Sequence, residues 1–364
     1  MLSAAIDEAA AVGDARLEAF ARVRRAYVGT FTGEKLKAAL VEAQAAAGTL
    51  ERFDDQAMLA QAHWAVGVFH FWLGDCAAAE RALRRALDHA RRGGRSRDAG
   101  EVLSSLVMVA RHGPTRVPEA IRLCETTLEQ ARGSHSKLEA QALLSAGVLS
   151  AMRGTFDEAR ATVRQAGAIT RDLARLDWAG GAMESARVEL LAGDPAAAEL
   201  VAREGYDELE RLGDRGYLST IAPILARAVY LQGRVEEAEQ LTRVSEGAAD
   251  PDDVTSQSGW RSVRALALAR RGMTEEAVSL AREAVMIMER TDLLDSRAEA
   301  LLDLAEVLRL GGRASEAATA ASEALRLWEQ KGSVVSAELA RRLLHEVRPL
   351  RSVRSSARAA QDPP

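Results

Sequence analysis

Asparagine is missing from all 364 residues, which removes N-glycosylation sites and the Asn-Gly hairpin signal together. Cysteine is nearly missing: Cys76 and Cys124 each lie in a helical pattern, so neither a disulfide framework nor a Cys-x-x-Cys metal site can be built. That usage suits a reducing cytoplasm. Aromatics are sparse, at 6 Phe, 5 Trp and 4 Tyr, and strands draw on such residues. No apolar run approaches the ~18 residues of a membrane span. The acidic start MLSAAIDEAAAVGDARLEAF also lacks the basic end and apolar centre of a signal peptide. Neither export nor membrane insertion is expected. A broad basic face is lacking too, because 48 basic and 53 acidic residues leave a net charge of -5. Direct nucleic-acid binding is therefore not expected.

What the chain has is alanine, 72 residues of it, the best helix former. An all-α fold follows. Only the last stretch breaks the pattern: residues 348–364, rich in Arg, have no apolar periodicity and read as a disordered tail.

The organisation lies in an internal repeat. The segments LGDCAAAE, RGTFDEAR, AGDPAAAE, QGRVEEAE, RGMTEEAV and GGRASEAA each place a Gly five residues before an Ala. The glycines are Gly74, Gly154, Gly193, Gly233, Gly272 and Gly312, with spacings of 39, 40, 39 and 40 from Gly154 on. The gap of 80 before Gly154 holds one irregular unit, HGPTRVPEAIRL, with Thr115 at the Gly place and Ala120 five later. Gly33 with Ala38 adds a unit at the front, giving eight. Helical periodicity flanks each turn, so each unit reads as a helix hairpin. The Gly ends the first helix in a left-handed conformation, and acids such as Asp157, Glu158, Glu236 and Glu237 open the second, where the dipole favours them. Small residues recur twelve positions after the Gly, at Ala45, Ala86, Ala166, Gly205, Ser245, Ala284 and Ala324. With the repeated Ala they let paired helices approach closely.

These spacings resemble the tetratricopeptide family. Val66-Gly67, Ala79, Leu83 and Ala86 in the second unit, and Ala146-Gly147, Ala159, Val163 and Ala166 in the fourth, occupy the family's motif places. The resemblance covers residues 15–347 and implies a right-handed solenoid of about eight hairpins. It departs in period, about forty against about 34 residues, and mostly lacks the closing Pro. HEAT-like repeats share the longer period, but the Gly, Ala and small-residue spacings fit the tetratricopeptide pattern. Residues 1–14 resemble the second helix of a preceding unit, so the chain is expected to open with half a hairpin from a truncated parent. Such a face could pair two copies into a homodimer. Ala/Arg-rich units of this length look like the C-terminal solenoids of large bacterial regulators, either ATP-dependent LuxR-type activators or nucleotidyl cyclases with an ATPase module.

Catalytic signatures are missing: there is no P-loop, dinucleotide fingerprint, His-Glu-x-x-His or Gly-x-Ser-x-Gly. No enzyme activity, cofactor or metal is expected. His63 and His70, seven apart, have no third ligand at suitable spacing and read as packing residues. Cys76 and Cys124 have no basic neighbour placed to lower their pKa and read as inert. The family's chaperone-binding modules use Lys and Asn in a two-carboxylate clamp. This chain, with no Asn and only Lys35, Lys37, Lys137 and Lys331, is not that clamp.

In the family the first helices line the concave face. Projecting that pattern here gives a groove with Tyr27, Phe31, Trp64, Phe71 and Trp72 in an aromatic N-terminal half. Arg187, Arg227, Tyr230, Arg270 and Arg309 fall in an Arg-studded C-terminal half. Aromatics and Arg dominate interface hot spots, although aromatics at helical spacing also fill cores. The expected role is a cytoplasmic, non-catalytic scaffold that binds a protein or peptide partner in signalling or transcription regulation. The alternative is a sensor closing its groove around a small effector.

Overall fold

A computed structural model describes residues 2–30, 35–134 and 136–347. Phe31, Gly33 and the tail from residue 348 lie outside the described residues. Within them there are eighteen α-helices and no strand. Helix α1 (Leu2–Ala11) precedes eight antiparallel hairpins: α2/α3 (Ala15–Thr30, Leu36–Leu50), α4/α5 (Gln56–Trp72, Cys76–Arg92), α6/α7 (Ser96–His112, Val117–Ala131), α8/α9 (Lys137–Arg153, Phe156–Leu173), α10/α11 (Arg175–Leu191, Pro195–Leu212), α12/α13 (Arg215–Leu231, Val235–Ala248), α14/α15 (Val254–Arg270, Thr274–Met288) and α16/α17 (Leu294–Leu310, Ala314–Lys331). Helix α18 (Val334–Val347) follows. The fold is the all-α tetratricopeptide-like solenoid that the repeat implies.

Each hairpin is built from local chemistry. All six turn glycines have positive φ, from 73° at Gly312 to 94° at Gly154, a conformation that a Cβ would penalise. Next to them Asp75 and Asp194 cap the following helices by accepting from the Ala78 and Ala197 amides. The repeated alanines, Ala79, Ala159, Ala198, Ala238, Ala277 and Ala317, are fully buried at the crossing of the two helices. Gly205 is held to glycine by close packing: a Cβ there would lie 2.6 Å from the Ala182 Cβ and 2.9 Å from the Ala179 carbonyl. In the irregular third unit Ala120 and Thr127 take the two packed places. The first unit differs from the sequence expectation. Ala38 and Ala45 are exposed, and their neighbours Ala39 and Ala46 are buried instead. One residue turns a helix by about 100°, so a reading based on Gly33 points to the wrong face.

The first helices of successive hairpins also pack side by side, α6 on α8, α12 on α14 and α14 on α16, forming the inner layer. The twist that accumulates along this layer brings the ends of the solenoid onto its middle. Helix α18 packs on α8, and α16 reaches α6. Three polar links fasten this seam. Lys37 pairs with Asp252 at 2.7 Å. Asp292 accepts from the Cys76 and Ala77 amides at 2.6 and 2.8 Å and donates its own amide to the Gly74 carbonyl at 3.1 Å. The fully buried Lys331 donates to the carbonyls of Ala110, Gly113 and Thr115 at 3.0, 2.6 and 2.7 Å. All join residues 215 to 221 positions apart, a little over five repeat lengths. Burial pushes the Lys331 ammonium down to about 8, against support from Asp295 and Cys76. Its three hydrogen bonds to carbonyl oxygens match the three protons of an ammonium.

Candidate inner-channel site

The described residues of the expected groove lie on the first helices in three groups, and Trp64 and Tyr230 among them are buried in the core. In the first, Tyr27 on α2 stacks on Trp72 of α4, with ring centroids 6.1 Å apart and 17° between planes, and meets Trp64 at 4.9 Å. Trp64 is 9% exposed and anchored by its indole N–H, which donates to the Ser105 hydroxyl of α6 at 3.0 Å. Trp72, Phe71 and Tyr27 are half-buried over the core. Burial raises the Tyr27 hydroxyl to about 12, with Tyr217 and Glu101 adding to the effect and Lys137 and Arg24 opposing it. Tyr217 belongs to the sixth hairpin.

The second group surrounds a small cavity of about 60 Å³, space for a few water molecules. It is lined by Arg187, Thr220, Arg227, Ser262, Glu299 and Asp303. Arg227 reaches from α12 to α16, donating to both oxygens of Asp303 at 2.9 and 2.6 Å and pairing with Glu299 at 3.0 Å. Burial works against its charge, but Asp303 and Glu299 outweigh that cost and raise its pKa. Arg187 has its nearest carboxylate, Glu184, at 3.9 Å. In the third group the Arg270 Nε donates to the Tyr230 hydroxyl at 3.2 Å, while Arg309 grips Glu306 at 2.6 and 2.7 Å.

A connection between the first two groups was not legible in the sequence. Phe71 packs on His112 with centroids 5.4 Å apart, and Arg111 donates to His112 and, at 2.6 Å, to Glu184 on α10. Arg111 is 3% exposed, and its Nε and the Glu184 Oε2 are buried without a hydrogen-bond partner. Burial first, then Arg111, Arg187 and Lys331, drives the His112 pKa well down. The one sequence signal was a charge at Arg111, forty residues after Phe71, at a place the neighbouring unit fills with an aromatic ring.

The histidine and cysteine candidates elsewhere, His63, Cys76 and Cys124, are buried. His63 stacks on His89 at 5.4 Å. Burial raises both thiols, Cys124 to about 12 and Cys76 further, the latter beside Asp292. Among the described residues no group of three or more His, Cys, Asp or Glu is placed to hold a metal ion. No described helix is long and apolar enough to cross a membrane.

No family model and no curated protein matches the chain. The backbone nevertheless resembles solved structures. A Rap protein complexed with Competence and Sporulation Factor superposes with a TM-score of 0.66 at 13% identity, over 92% of this chain and 88% of that one. The Rap conjugation gene regulator of the plasmid pLS20, in complex with the Phr* peptide, gives 0.56 at 14%, covering 75% and 77%. The apo form of RapI gives 0.52 at 12%, covering 78% and 98%. At such identities the likeness is one of fold.

Proposed function

We propose that this chain is a non-catalytic scaffold that takes an extended peptide segment into its inner channel, within a cytoplasmic bacterial signalling or transcription-regulating system. The observation that carries this reading is the half-buried aromatic group of Tyr27 and Trp72 around Trp64 together with the contacts from Phe71 to His112 and from Arg111 to Glu184, beside Arg187. Half-buried aromatics beside paired charges suit a chain that offers both apolar side chains and backbone polar groups. The likeness in fold to two Rap structures, one solved with Competence and Sporulation Factor and one with the Phr* peptide, supports the same reading.

The test is selection from a displayed library of linear peptides against the full chain. Selected peptides are expected to lose at least about tenfold in affinity for the Trp72→Ala variant and for Arg187→Glu. Binding that depends on Trp72 alone would favour a small effector at the aromatic group. Binding that neither substitution alters would place the partner outside the channel and overturn the reading.

A further inference from the structure

We propose that the seam joining the first three hairpins to the sixth through eighth is a latch, and that the inner face opens by parting this seam while the hairpins stay packed. The two kinds of interface differ in chemistry. Within and between neighbouring hairpins the contacts are continuous buried Ala, Leu and Val. At the seam the apolar contact is small, Leu293 and Val254 set against the core of the first hairpins, and the rest is point links: Lys37 to Asp252, Asp292 to the start of α5, and Lys331 to the end of α6. Parting the seam returns an ammonium, carboxylates and backbone groups to water, which rehydrates them, whereas parting a hairpin exposes apolar surface that water penalises. The seam is therefore the element that opens at lowest cost.

The latch is also wired to the channel. Lys331 holds the carbonyl of Ala110, directly before Arg111 and His112, the residues that tie the aromatic group to Glu184. Release of Lys331 frees the end of α6 and, with it, the link across the channel. This inference concerns the seam alone and does not depend on what the inner face binds.

Hydrogen exchange and small-angle scattering on the full chain test it, using Lys331→Met and Asp292→Ala. The expected result is exchange at least about tenfold faster at residues 74–77 and 113–117, a larger radius of gyration, and unchanged protection in α11 to α13. If Lys331→Met does not fold, Asp292→Ala supplies the same readout. Wild-type exchange at both segments would overturn the proposal, as would uniform loss of protection in all hairpins. Failure of both variants to fold would do so equally, because a latch separable from hairpin packing leaves the hairpins intact.

Discussion

Arg227 and Asp303 stand 76 residues apart in the chain and join α12 to α16 beside the small cavity through two parallel hydrogen bonds of 2.9 and 2.6 Å. Asp303 is 5% exposed, so each charge depends on the other for what water would otherwise supply.

Removing one partner is therefore expected to be costly. Asp303→Ala should destabilise the chain by about 3–5 kcal/mol in urea unfolding, and the double variant Arg227→Met/Asp303→Leu should recover much of that loss. The exposed helix pair Arg84–Glu80 at 2.5 Å provides the contrast: Glu80→Ala should cost about 0.5 kcal/mol or less. Equal costs at the two sites would show that the channel pair is not desolvated.

Two glycines should respond with opposite signs. Gly205→Ala drives a methyl against the Ala179 backbone carbonyl and should cost about 1–3 kcal/mol. Gly48→Ala, inside α3 with nothing within 4 Å of the new methyl, should gain about 0.5–1 kcal/mol from helix propensity. Thermal unfolding of the two variants reads both effects.

Acid should weaken the fold through His63. Burial first, then His89 and Arg85, lowers its pKa from 6.5 to about 4, against Glu51. On acidification the unfolded chain takes up this proton before the folded chain does. The stability it contributes is complete above 6.5 and lost as the pH falls through about 4. His63→Phe should flatten that part of the pH profile; an unchanged difference in urea midpoint between neutral and acid pH would contradict it.

The two thiols should be silent. Cys76 and Cys124 are buried and their pKa values raised, so neither should react with an aromatic disulfide reagent in the native state, and both should react in guanidinium. Because Asp292 binds the Cys76 amide, Asp292→Ala should speed labelling of Cys76 more than that of Cys124.

The sequence by itself determined the hairpin. Gly74, Asp75, Ala79 and Ala86 act within about a dozen residues of one another, and left-handed turns, caps and small packing positions depend on little beyond that span. The period fell out of their spacing, and it slipped only in the first unit, where Gly33 was the sole marker. The aromatic group of Tyr27, Trp64 and Trp72 was also legible, because neighbouring hairpins place one helix face forty residues on. Tertiary structure alone decided the partners of Arg227, Arg111, Lys331 and Asp292. Their partners lie 73 to 221 residues away, at distances set by the summed rotation of successive hairpins. A small rotation per unit, summed over several units, fixes which distant hairpins meet, and no single repeat encodes that sum.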